Sequence, residues 1–278
     1  MPLAAGPWAW WNQYGPVPLA TCVRRAHDAR LRGVIVKHGY PEARDAFAHA
    51  GVPWAVERYA YPGQPEAEAR RLAEEIGRGA RFAVINAEAE WEPLGPEPMQ
   101  RLIAEFRRLQ PHAELYACVD TRGGRTTLPY QRVLAGYVAG WMPMVYPRAF
   151  GQSVREAFAA ALDGVSFAAP VMPALQTYGE IGPGMVTEQI AEVQRRGLAG
   201  YQAYTIAHAT DAEWAALARD TQDFDGLSPK EDEMEAIDTL RRLHAVAALF
   251  LQAAAFALRG EPLPDDLRTQ LRWLLTSP

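Results

Sequence analysis

The chain has 278 residues, a formal charge of −5 and an apolar content of 49%. That content excludes a disordered chain, and interspersed charges without a basic stripe argue against nucleic acid as a partner. Two cysteines, Cys22 and Cys118, are too few and too far apart for a disulfide framework or a zinc pattern.

The N-terminal stretch "MPLAAGPWAWWNQYG" has neither a basic region nor an apolar core of the secretory kind. The longest apolar run, 245–258, is shorter than a membrane span and contains Gln252. The expectation is a soluble protein with no membrane partner, cytoplasmic or released without a signal peptide.

Strand-like runs recur at 8–13, 33–39, 53–61, 81–90, 113–121, 140–147, 171–179 and 200–208. Helical patterns lie between them and after the last, at 17–33, 41–51, 64–79, 97–111, 128–137, 153–164, 186–197 and 210–220. Several open on a proline or close on a glycine, the usual punctuation of helix starts and stops. Strict alternation predicts an α/β fold with a parallel sheet under helices, and eight units predict a (β/α)8 barrel, the TIM barrel, over residues 1–221. A doubly wound open sheet is the runner-up, but it wants a glycine-rich first turn, and "WNQYGPVP" is not one.

Residues 222–278 break the rhythm. Ser228, Pro229 and Glu231 give a capping-box start to a long helical pattern that stops at Gly260, and 264–276 reads as a second helix. These form a C-terminal helical extension. So apolar an amphipathic pair must bury a face, either on the barrel or in a homo-oligomer.

The stretch "VINAEAEWEP" carries Glu88, Glu90 and Glu92 at every second position. On a strand, all three side chains point the same way. With Ile85, Ala87 and Ala89 facing the helices, Asn86, Glu88 and Glu90 face the barrel interior or its C-terminal mouth, where such barrels carry their chemistry. Glu57 and Asp120 add acid nearby, and Lys37 and Arg58 are the expected partners. Spacing along the strand puts Glu88 deepest, Glu90 half-buried at the mouth and Glu92 on the rim. Clustered carboxyls raise one another's pKa, which suits a general acid. Trp8, Trp10, Trp11, Trp54, Trp91 and Trp141 lie on or beside strands, and Tyr59, Tyr61, Tyr146, Tyr178 and Tyr204 near strand ends. Such rings suit the apolar faces of sugars. Single tryptophans are more commonly core.

At "EAEWEP" the chain resembles the family-18 glycoside hydrolases, the chitinase-like enzymes, whose fourth strand reads D-x-x-D-x-D-x-E. The resemblance matches Glu92 to the catalytic acid and Glu90 and Glu88 to the acids before it. The first Asp falls on Ile85. It continues at "MPMVYP", where Met144 and Tyr146 resemble the sixth-strand M-x-Y. In that family the tyrosine helps hold the substrate N-acetyl group that attacks the anomeric carbon. The Asp that usually follows is Pro147 here. Family-25 lysozymes offer a second resemblance, with Glu88-x-Glu90 matching their D-x-E and "YQAY" their closing strand. The Asp of their first strand is missing; Asn12 lies nearby.

Both resemblances imply a glycosidase barrel hydrolysing an amino-sugar glycan, with Glu90 or Glu92 as acid. Glu88, Asn86 and Asp120 stabilise charge or position water, while Tyr146, Gln176, Tyr204, Trp91, Lys37 and Glu57 are the further ligand contacts. The alternative is a glycan-binding or structural barrel without turnover, a phage virion or surface component. A Schiff-base role for Lys37 fares worse, no histidine pair has metal-ligand spacing, and no cofactor or metal is expected.

Overall fold

In the computed structural model eight parallel strands close into a barrel in the order β1 to β8. The structure describes residues 2–221, apart from 164, 166 and 168, together with residue 262. The predicted helical extension otherwise lies outside the described residues.

The elements run β1 Gly6–Trp11, α1 Leu19–Asp28, β2 Gly33–Lys37, α2 Pro41–His49, β3 Trp54–Tyr59, α3 Pro65–Gly77, β4 Ala83–Asn86 and α4 Glu97–Leu109. They continue β5 Leu115–Val119, α5 Pro129–Ala135, β6 Gly140–Val145, α6 Val154–Leu162, β7 Ala174–Gln176, α7 Pro183–Arg195, β8 Gly200–Tyr204 and α8 Asp211–Thr221. All eight predicted strands are present; β1 lies two residues earlier than its run, and the other seven are shorter than theirs. Pro41, Pro65, Pro129 and Pro183 open their helices, where the missing N–H costs nothing.

Alternation along each strand sorts the side chains. Val34 and Val36, Trp54 and Val56, Ala83 and Ile85, and Leu115 and Ala117 join the core between strands and helices. Their neighbours Ile35, Ala55, Val84 and Tyr116 are buried on the opposite, inner face. The lower interior is plugged by aromatics, with Trp8 against Phe82 at 4.7 Å and Phe82 against Tyr116 at 4.8 Å between ring centroids. The same parity sends Lys37, Glu57, Asn86, Cys118, Gln176 and Tyr204 inward at the upper ends.

Closure depends on glycine at the seam. Gly6 pairs with Gly200 across β1 and β8, and a Cβ on Gly200 would stand 2.3 Å from the backbone nitrogen of Gly6. The backbones approach more closely there than any side chain allows.

Strand four departs from the sequence reading. It ends at Asn86, and Ala89–Trp91 forms a short 3-10 helix, so Glu88, Glu90 and Glu92 do not share a strand face. The cause is Trp91. Its indole is fully buried, packs on Tyr130 and donates from Nε1 to the Ala60 carbonyl at 2.7 Å. Burying that ring turns the chain inward, and Ala89, expected to face the helices, is exposed.

Candidate active site

Parity and register bring a set of carboxyls to the barrel mouth. Glu57 lies opposite Lys37 across β2 and β3, and Tyr59 lies opposite Asn86 across β3 and β4. Glu57 is 4% exposed. Burial pushes its carboxyl up to about 7, against the pull of Lys37, of hydrogen bonding from Asn86 and of Arg58, while Glu88 adds to the rise. Glu88, at the turn after β4, is half-buried and is also raised. Burial is the main cause; Asn86 opposes it, and the negative charges of Glu90 and Asp120 reinforce it.

Glu90 is exposed rather than half-buried, and accepts a 2.6 Å hydrogen bond from the Tyr59 hydroxyl. That phenol is raised by burial first, then by the bond to Glu90 and by neighbouring carboxylates. Among the described residues, none of Glu57, Glu88 and Glu90 forms an ion pair. Asn86 Oδ1 and Trp10 Nε1, both buried at this end of the barrel, have no hydrogen-bond partner among them either. Orphaned buried polar atoms are costly unless something meets them.

The remaining acids are held differently. Glu92 pairs with Arg125 at 2.9 Å, and Asp120 with Arg122 at 2.8 Å and Arg125 at 3.6 Å. Burial alone would raise Asp120, but the two guanidiniums outweigh it and hold the carboxyl below its ordinary value. Both arginines come from "TRGGRT", where Gly123 and Gly124 take positive φ. Arg122 also lies over the Phe150 ring, 3.3 Å from its centroid.

The β6–β8 side is aromatic. Tyr146, just after β6, is buried, with ring centroids 5.6 Å from Tyr178, Tyr204 and Phe150. Tyr204 also meets Trp10 edge-on at 5.5 Å. Burial pushes the Tyr146 and Tyr204 phenols upward, so both remain hydroxyl donors at neutral pH.

Three expectations are corrected. Trp91 is enclosed and cannot stack on a ligand. Gln176 is buried and engaged within the fold: Oε1 accepts from Ala149 N at 3.2 Å and Nε2 donates to the Tyr178 carbonyl at 3.0 Å. Arg58 points outward to Glu68 on α3, its second nitrogen at 3.1 Å, because it follows the inward Glu57 on the same strand. Arg122 and Arg125 were missed by sequence reasoning, since only the closed barrel brings them to Glu92 and Asp120.

A cavity of about 320 Å³ between α2 and α3 is a weaker candidate. Glu75 in its wall is 3.2 Å from Arg44 and 2.6 Å from Arg78, while Lys37, which also lines it, forms no ion pair among the described residues. Among the described residues no group of three or more His, Cys, Asp or Glu is placed to hold a metal ion, and no helix is long and apolar enough to cross a membrane.

The chain matches no family model and no curated protein in sequence. Solved structures do match its fold. Catalytic-site mutants of active domain 2 of a Pyrococcus furiosus chitinase, complexed with chito-oligosaccharides, superpose with a TM-score of 0.55 at 10% identity, covering 83% of this chain and 99% of that one. A Chromobacterium violaceum chitinase gives 0.52 at 13% identity, covering 78% and 99%. The Bacillus cereus spore cortex-lytic enzyme SleL gives 0.54 at 8% identity, covering 78% and 74%. The likeness is one of fold, and the virion reading draws no support from it. The barrel is built as the chitinase-like glycoside hydrolase barrels are built.

Proposed function

We propose that the mouth hydrolyses a glycan containing amino sugars, with Glu90 as the general acid. The observation that carries this reading is the Glu57–Glu88–Glu90 group: three carboxyls at one barrel end, none ion-paired among the described residues, facing an aromatic wall. A carboxyl that protonates a glycosidic oxygen must be free to reach it. Glu90 is exposed and steadied by Tyr59, whereas Glu92 is engaged by Arg125. Moving the D-x-D-x-E resemblance back two residues, onto Asn86, Glu88 and Glu90, begins it at the last residue of β4.

Glu90 delivers its proton to the leaving oxygen. That leaves Glu90 as a carboxylate beside Glu88, whose own carboxyl is raised by burial and by the charges of Glu90 and Asp120, and water supplies the hydroxyl to the sugar and the proton that restores Glu90. Tyr146 and Tyr204 present hydroxyls and ring faces to the sugar. Fold kinship with a chitinase crystallised with chito-oligosaccharides supports this ligand class.

The test is direct. The purified chain is assayed on N-acetylglucosamine oligomers and on peptidoglycan, beside Glu90→Gln. Release of reducing ends by the parent and not by the variant, which still binds, supports the reading. Binding without turnover by either protein would make the barrel a glycan-binding module. Neither binding nor turnover would remove glycans from consideration.

A further inference from the structure

The mouth is acidic, yet it contains a cation, Lys37, that forms no ion pair among the described residues. Lys37 ends β2 and faces inward by the alternation that sends Val34 and Val36 outward. Its register partner is Glu57, and neighbouring strands run only about 4.8 Å apart, so an ion pair is within reach. None forms. Lys37 Nζ lies over the ring of Tyr14 instead, 5.0 Å from the centroid. Tyr14 is 67% exposed, so the ammonium is parked on a face open to solvent.

The cations across the mouth are already engaged. Arg122 holds Asp120, Arg125 holds Glu92, and Arg148 donates to the Glu180 carbonyl at 2.7 Å. The residue type is also distinctive. Of the 28 basic residues of the chain only Lys37 and Lys230 are lysine. Arginine offers a flat, rigid fork, while lysine offers a compact charge on a stem that can swing. Without such a cation, a ligand carrying negative charge would be repelled from a mouth containing Glu57, Glu88 and Glu90.

We infer that Lys37 is a specificity residue that takes a carboxylate on the glycan, so that the mouth prefers amino-sugar chains that also carry acid groups. This rests on the glycan reading above and narrows its substrate class. The ammonium leaves Tyr14, or turns on it, to meet the ligand's carboxylate. The ring then remains as a platform beneath the sugar. The acid group is thereby directed to the β1–β2 side of the mouth, away from the reacting carboxyls after β4. A lactyl ether and a uronic acid present the same chemistry, and the experiment separates them.

Binding is measured by calorimetry on the full chain carrying Glu90→Gln, so that ligands survive. Three tetrasaccharides are compared: neutral N-acetylglucosamine tetramer, a peptidoglycan backbone fragment without stem peptide, and a hyaluronan fragment. One acid ligand is expected to bind about tenfold or more tightly than the neutral one. Its methyl ester should lose that advantage, which tests the idea with Lys37 intact. Lys37→Met should abolish the advantage of the acid ligand over the neutral one, and Lys37→Arg should retain part of it. Equal affinities for all three, or an advantage that survives Lys37→Met or esterification, overturns the inference and leaves the glycan reading standing. No binding by any of the three removes both.

Discussion

Two groups of acids share one barrel mouth and are treated in opposite ways. Glu57, Glu88 and Glu90, on the β3–β4 side, belong to no ion pair among the described residues. Glu92 and Asp120, towards β5, are pinned by Arg125 and Arg122. The chain does not lack arginines to spread. Half-buried Glu66 pairs with Arg101 at 2.6 Å, and Glu105 with both Arg70 and Arg108. Leaving a carboxyl such as Glu57 buried without an ion partner is costly, and holding its proton up to about pH 7 is how the fold lowers that cost. Acids left unpaired are free to exchange protons; acids bound to guanidinium act as struts that shape the mouth around them.

The contrast breaks most visibly at Glu90 and Glu92. Glu90→Gln keeps the shape and removes the transferable proton, so turnover on a susceptible glycan should fall by about a hundredfold or more. Glu92→Gln should cost less than about tenfold, because that carboxylate acts as a partner of Arg125. If initial rates show the reverse order, the two groups have exchanged roles.

Glu57 gives the next largest effect, on stability. Its carboxyl titrates near 7 in the folded chain, against an ordinary value of 4.5. Between those values the unfolded chain has lost a proton that the folded chain keeps. The stability from this group is therefore complete below pH 4.5 and declines as pH rises through 7. Urea melts of Glu57→Gln should lack that decline and gain on the parent by up to ~3 kcal/mol at pH 8. Parallel curves for the two proteins would show that Glu57 ionises in the fold as it does in water.

The smallest effect belongs to a strut. The Arg125 and Glu92 side chains are 38% and 35% exposed, so solvent screens their attraction. Arg125→Gln should change unfolding free energy by less than ~1 kcal/mol. A larger loss in urea melts would mean that the "TRGGRT" turn supports the barrel itself.

The barrel was legible because its signals are local and repeated: proline before a helix, glycine after it, and an apolar run every 20 to 30 residues. The site was legible only in part. The alternation of Glu88, Glu90 and Glu92 imitates a strand, and whether it is one depended on where the Trp91 indole found a cavity. That cavity is made by Ala60 and Tyr130, distant in sequence. Gln176 was a fair candidate until Ala149 and Tyr178 came to it through the fold. Arg58 was decidable in advance. It follows Glu57 on one strand, and two consecutive residues cannot both face the barrel interior.

The seam at Gly6 and Gly200 also orders events in time. Of the described strands β1 leaves the ribosome first, but its second neighbour, β8, is the last of them to be made. Until residue 204 emerges, the nascent sheet is an open arc with an unpaired edge at each end, and such edges recruit other chains. A message truncated between β7 and β8 would therefore yield, in place of a slightly smaller barrel, a product whose two edges have only foreign chains to pair with.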